Sequence, residues 1–382
     1  MNFLLSAGEA SGDNYGAQLV EALRQLHPGS AFFGMGGEKM RAAGCELLVN
    51  AGEVAVVGLA EVVTHLPGIY LKFRGLVGEA RRRRPDAAIL IDFPDFNLRL
   101  ARDLHNLGIP VFYFVSPQIW AWRSGRVKQI QRFVRKMIVI FPFEQEFYRR
   151  HGVEVTYVGH PLAWLPEPAI SRDEYAQQHR LDPAREWIAL LPGSRRKEVR
   201  LNLPAMLAAT EKLGDRFEYI LPVASTLHRD FLREQLTHSS LPVKLCENAR
   251  TAMKFARASV VASGTATVEA ALSGTPFVVV YRLTPLTWLL GRRLVNLDTF
   301  AMANLIAGRR IVKELIQQEF TPETVLKELQ AILPEGPRRT QMLADLREVR
   351  TRLRESGGQE EPIVRAAREI MDALPAEKGK KS

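Results

Sequence analysis

Cysteine is nearly missing from this chain. Cys45 and Cys246 stand alone and far apart, which excludes a disulfide framework and fits a reducing, cytoplasmic setting. Neither C-x-x-C nor H-x-x-x-H spacing occurs, so the pattern offers no metal-ligand set and no metal is expected. Long apolar runs are also lacking. The longest charge-free stretch, residues 104–122, is interrupted by Asn106, Gly108, Pro110 and Pro117 and has to turn, so membrane contact is expected to be peripheral. The first residues have no basic start and no long apolar core of a signal peptide, and read as a strand. No glycine fingerprint of a dinucleotide site, no G-K-[ST] ending, no zinc-finger spacing and no RNA-recognition pattern is found. Those absences disfavour a nicotinamide-dependent dehydrogenase, an ATPase and a nucleic-acid-binding module.

What remains is a well-stocked globular chain. Its 382 residues are 46% hydrophobic, enough for two α/β domains of ordinary size. Lys and Arg total 52 against 42 Asp and Glu, a formal charge of +10, which suits anionic lipid or phosphorylated metabolites as well as it suits nucleic acid. Short apolar runs alternate with helical patterns throughout, the mark of parallel sheets. A polar, proline-dotted stretch after Leu162 marks a boundary. We expect an acceptor- and lipid-binding domain over residues 1–163 and a nucleotide-binding domain over 164–356. A closing helix and basic tail are expected over 357–382.

Chemistry concentrates at strand ends. In the second half, Ser263-Gly264-Thr265-Ala266 lies between the apolar runs 258–261 and 277–281, and a short helix follows it. The turn has no bulk, so a diphosphate can reach the helix-start amides. Glu269, about one turn further in, suits the diol of a ribose, or merely offsets the helix dipole. Pro192-Gly193-Ser194-Arg195 after the run 187–191 is a second such cradle, with a cation beside it. In the first half, Gly8-Glu9-Ala10-Ser11-Gly12-Asp13 precedes a helix expected from about residue 15. Its small residues admit a ligand, while Glu9 and Asp13 repel phosphate, so Gly8, Glu9, Ser11 and Asp13 suit a sugar; alternatively Ser11 or Asp13 caps the helix. Asp92-Phe93-Pro94-Asp95-Phe96-Asn97 follows the buried run 87–91, at the edge where open α/β sheets bind ligands. Asp92 is the candidate general base, with Asp95 second or structural. Trp120 and Trp122, in another strand-end loop, pack the domain or line a site for something apolar. The run 54–63, including Val57 and Leu59, is a buried element or a greasy surface, and Arg81-Arg82-Arg83-Arg84 beyond it is a solvated helix end or a contact for an anionic bilayer.

Taken in order, these motifs resemble lipid-A-disaccharide synthases, glycosyltransferases of the GT-B class. Asn304-Leu305-Ile306-Ala307-Gly308-Arg309 and Val312-Lys313-Glu314 add to the likeness, which runs from the first residues to about Glu314. Phe93 departs from it, standing where a small residue is expected, as does the basic extension 378–382. The resemblance implies two Rossmann-like domains with parallel sheets facing across a cleft. It implies inverting, metal-independent transfer from UDP-2,3-diacylglucosamine to 2,3-diacylglucosamine 1-phosphate, giving a β-1,6-linked disaccharide 1-phosphate and UDP. The UDP-sugar is a co-substrate, and no cofactor is implied. A homodimer at the cytoplasmic face of the inner membrane is implied, its C-terminal segments 357–382 crossing back or exchanged between the two copies, with no nucleic-acid partner. Arg195 and the amides near Ser194 and Gly264–Ala266 would receive the leaving diphosphate, Glu269 the ribose, and Asn304 the uracil or diphosphate. A UDP-GlcNAc-dependent transferase or an epimerase of the same fold is the alternative.

Overall fold

The computed structural model describes residues 1–54, 59–122, 124–237, 239–284, 299–355 and 360–374, with the side chains at 59–66, 121, 122, 124 and 355 left aside. Val57 and the basic tail fall outside the described residues, and the side chains of Leu59 and Trp122 with them.

The chain divides into two compact units, Met1–Trp164 with Leu353–Ser382, and Leu165–Arg352. Unit 1 is built on a seven-stranded sheet ordered β3-β2-β1-β4-β5-β6-β7. Its strands are β1 (Asn2–Ala7), β2 (Ala31–Gly36), β3 (Glu46–Asn50), β4 (Ala87–Ile91), β5 (Val111–Phe114), β6 (Lys136–Val139) and β7 (Val155–Tyr157). Unit 2 carries six strands in the order β10-β9-β8-β11-β12-β13. They are β8 (Trp187–Leu191), β9 (Glu218–Pro222), β10 (Val243–Cys246), β11 (Ala258–Ala262), β12 (Phe277–Tyr281) and β13 (Glu314–Ile316). Every strand pair is parallel.

The sequence dictates this arrangement directly. Ala87–Ile91, Val111–Phe114, Trp187–Leu191 and Ala258–Ala262 are buried at every position, as strands covered by helices on both faces must be. Strand order reverses at β1/β4 in the first sheet and at β8/β11 in the second. Those switch points open crevices at the carboxyl ends of the strands, where the sequence places its chemistry.

Two local expectations are corrected. The first helix spans Ala10–Leu26, with Glu9 as its N-cap, so Ser11 and Asp13 sit in its first turn and only Gly8 and Glu9 form the loop. The second boundary falls at Arg352, inside the helix Pro337–Glu355, rather than at residue 356. The end of that helix already bonds to unit 1: the Leu353 carbonyl accepts from the His160 amide at 3.4 Å, and Arg354 Nε donates to the Ala163 carbonyl at 2.8 Å. The closing helix Pro362–Asp372 then packs Ile363, Ala366, Ala367 and Ile370 into the core that holds Phe3, Leu5, Leu19 and Leu23.

Candidate active site

Asp92 is the first residue beyond β4, at the β1/β4 switch point. It and Phe93 are consecutive non-glycine residues in the left-handed region, with φ of 47° and 50°. Such backbone costs about 1–3 kcal/mol per residue and persists only where surroundings enforce it. Here they do. The Asp92 carbonyl accepts from Tyr113 Oη at 2.6 Å and from Asn97 Nδ2 at 2.8 Å. Burial raises the Asp92 carboxyl to about 6, with the charge of Glu9 pushing the same way and the Phe93 amide pulling back. A carboxylate poised there is ionised near neutrality yet basic enough to take a proton from a hydroxyl.

Gly8 faces the same place. A Cβ on it would lie 2.3 Å from the Phe93 ring, so the space above this glycine is taken by the chain's own phenylalanine and not left for a ligand. Glu9 and Ser11 are exposed. Asp13 is buried, and its carboxylate accepts from the amides of Gly37 at 2.7 Å, Lys39 at 3.1 Å and Met40 at 3.1 Å. That makes it the cap of the helix Glu38–Ala42, with its oxygens spent; the sugar-binding assignment of Asp13 is corrected. Asp95, exposed in the first turn of the helix Pro94–Asn106, pairs with Arg126.

Trp120 is half-buried, stacked edge-on against Phe143 at 4.9 Å. Its Nε1 donates to Glu144 at 3.2 Å. Glu144 did not stand out in the sequence beyond starting a helix, yet it is almost wholly buried and burial lifts its carboxyl to about 8. It therefore holds a proton at neutral pH, and the nearby charge of Asp92 adds to the rise. Ser116 Oγ bonds Tyr148 Oη at 2.8 Å beside it. On the helix Leu59–Arg83, Tyr70 and Leu71 are 61% and 70% exposed, large apolar groups facing water. The basic run after them is less free than its sequence suggests: Arg83 chelates Glu46 and Glu79, Arg82 pairs with Glu79, and Arg84 donates to the Leu107 carbonyl.

In unit 2 the two small-residue turns leave adjacent strands, β8 and β11. They differ in one respect. At the start of the helix Arg196–Leu213, Glu198 folds back and accepts from the amides of Ser194 at 3.0 Å and Arg195 at 3.3 Å, and from Arg195 Nη1 at 3.2 Å. Gly193, at φ 119°, permits this, since a Cβ there would lie 2.5 Å from the Glu198 carboxylate. The Gly-Ser-Arg cradle thus already holds an anion of its own. At the start of the helix Ala266–Ser273 the amides of Gly264, Thr265 and Ala266 find no acceptor among the described residues, and Ser263 and Thr265 offer hydroxyls beside them. Glu269, in that first turn, is half-buried, its carboxyl held above the usual range by burial, with Arg250 pulling the other way.

Asn304 lies elsewhere in function. It is fully buried; Nδ2 donates to Val312 O at 3.0 Å and Glu314 Oε1 at 2.6 Å, while Oδ1 accepts from the amides of Ile311 at 2.8 Å and Val312 at 2.9 Å. An amide has two donors and two acceptor sites, and all are used. The expectation that Asn304 reaches uracil or diphosphate is corrected: it clamps its own loop.

The profile of lipid-A-disaccharide synthetase matches residues 3–367. A lipid-A-disaccharide synthase of Koribacter versatilis is 55% identical over 374 residues, covering 97% of this chain and 98% of that one. The chain belongs to the lipid-A-disaccharide synthase family. Its Myxococcus xanthus relative of the same name is 43% identical over 377 residues and 97% of both chains. The enzyme is therefore a UDP-sugar glycosyltransferase that makes a lipid A disaccharide. Solved structures show the GT-B fold. The calicheamicin glycosyltransferase aligns at TM-score 0.63 and 15% identity, over 98% of both chains. A Medicago truncatula enzyme complexed with UDP-glucose aligns at 0.60 and 11%, again over 98% of both. The UDP-GlcNAc 2-epimerase of Neisseria meningitidis aligns as well, at 0.61 and 12% over 98% of this chain and 99% of that one. Fold does not separate transfer from epimerisation; the 55% identity to a named synthase does.

Proposed function

We propose that the enzyme joins UDP-2,3-diacylglucosamine to 2,3-diacylglucosamine 1-phosphate with inversion, giving the β-1,6-linked disaccharide 1-phosphate and UDP without a metal or cofactor. Asp92 carries the reading: a carboxyl raised to about 6, at the carboxyl edge of β4, with its backbone fixed. Inversion is a single displacement in which the acceptor 6-hydroxyl attacks the anomeric carbon opposite the departing diphosphate. Asp92 takes the hydroxyl proton as the new bond forms. The diphosphate gains charge as its bond breaks, and fixed donors that meet that charge lower the barrier. The amides of Gly264, Thr265 and Ala266, which find no acceptor among the described residues, donate to it, and Arg195 with the Ser194 amide joins them once Glu198 swings aside. Glu269 takes the ribose diol.

The acceptor is a lipid, and the first unit offers it Trp120, together with Tyr70 and Leu71 on the surface. Among the described residues no helix is long and apolar enough to cross a membrane. The reading has the enzyme rest on the cytoplasmic face of the inner membrane through these side chains and cations such as Arg81, as a homodimer, with no nucleic acid involved. The test is UDP release from matched donors. The diacylated donor with the diacylated acceptor should turn over, and UDP-GlcNAc should release UDP far more slowly. Equal rates with both donors, or epimerisation of UDP-GlcNAc, would overturn the reading.

A further inference from the structure

We propose that Asn97 and Tyr113 are positioning residues that set the direction of the Asp92 carboxylate by pinning its backbone carbonyl. This rests on the reading of Asp92 as the base. Asn97 is fully buried in the helix Pro94–Asn106, and three strands of the first sheet meet at its side chain and at Tyr113. From β1, Ser6 Oγ donates to Asn97 Oδ1 at 2.6 Å, and the Ser6 carbonyl accepts from Nδ2 at 3.2 Å. From β4 and just beyond it, the Ile91 and Asp92 carbonyls accept from the same Nδ2 at 3.2 and 2.8 Å. From β5, Tyr113 Oη donates to the Asp92 carbonyl at 2.6 Å.

Strand pairing does not require any of this. The ladders β1–β4 and β4–β5 are complete through Ile91 without it. What the two side chains add lies one residue past the ladder, where Asp92 turns left-handed. Relaxing that residue toward ordinary backbone would swing the carboxylate, because φ at Asp92 sets where its Cβ points. A buried polar group with every partner in place resists such motion. Asn97 sits inside the helix and not at its start, where the N-cap position falls to Phe93 with no side-chain cap.

The deciding variant is Tyr113→Phe in the full chain, since it removes one donor and keeps the ring, whereas Asn97→Ala empties a buried hub. UDP release is followed against pH with UDP-diacylglucosamine and diacylglucosamine 1-phosphate, beside Asp92→Asn. We expect Tyr113→Phe to lower kcat about three- to tenfold, the scale of one lost hydrogen bond, with KM little changed. The acidic limb of its profile should move to lower pH as the carboxylate gains water. Asn97→Ala should cost on the order of 10²-fold, the scale of a misplaced reacting group. A Tyr113→Phe enzyme that melts earlier but keeps kcat and the acidic limb would reduce both residues to packing. An active Asp92→Asn enzyme would instead remove the base and the inference with it; an inactive one beside an unaltered Tyr113→Phe would sink the inference alone.

Discussion

Replacing Glu198 by alanine separates two roles that its carboxylate combines. In the structure it occupies the amides of Ser194 and Arg195 and the Arg195 guanidinium, the donors a leaving diphosphate would need. Two charge-assisted bonds to amides are worth about 1.5–3 kcal/mol each when sheltered. The Glu198 side chain is 24% exposed and Arg195 61%, so screening leaves the ion pair at most about 1 kcal/mol. Water that replaces the lost partner returns much of the rest. Displacing Glu198 should therefore cost UDP about 1–2 kcal/mol, and the alanine variant should bind UDP roughly 5- to 30-fold more tightly. The same change removes a helix cap, so stability should fall by about 0.5–2 kcal/mol. Calorimetric titration with UDP near neutral pH reads the first effect and denaturant unfolding the second. Tighter binding in a less stable protein is the expected signature. Unchanged or weaker UDP binding would show that these amides do not receive the diphosphate.

Other outcomes follow from the same geometry. Activity should fall as pH drops through about 6, where Asp92 gains its proton, and Glu9→Gln should move that limb to lower pH by removing the charge that helps raise it; a limb that stays put would detach Glu9 from the site. Asn304→Ala leaves the Ile311 and Val312 amides buried without acceptors, a loss of about 3 kcal/mol of stability, and UDP affinity of the folded protein should not change. Weakened UDP binding there would restore Asn304 to the ligand. Tyr70→Ser with Leu71→Ser should reduce flotation with anionic liposomes while leaving the melting temperature intact, since both side chains face water; full flotation would place the contact elsewhere.

Much of the fold was legible because parallel strands buried on both faces write themselves as short apolar runs, as Ala87–Ile91 and Phe277–Tyr281 do. The two strands that did not show, β3 and β13, lie at sheet edges, with partly exposed residues such as Glu46 and Glu314 and only five and three residues each. The position of Asp92 at the carboxyl end of β4 was legible from the buried run before it. Its supports were not: Asn97 and Tyr113 act through contacts 91 residues away at Ser6 and 21 residues away at Asp92, which no local pattern records. Asp13 and Asn304 misled for one reason. Polar residues near glycine-rich turns look ready for ligands, and here they are taken up by the chain's own backbone amides. Glu198 carried a readable signal, since an acidic residue at the third helical position is the mark of a capping box.

Stability offers an independent view of Asp92. Its folded pKa lies above the unfolded value, about 6 against 3.8, so the stability linked to its proton is full below the unfolded value and lost as pH rises through 6. Removing the charge with Asp92→Asn should then recover about 3 kcal/mol near neutrality, a residue kept at the expense of the fold. Turnover of that variant, measured as UDP release from the diacylated donor at saturating acceptor, tests the account most directly. It should fall by about 10²- to 10⁴-fold while UDP still binds. An Asp92→Asn enzyme working near the rate of the parent would contradict the account.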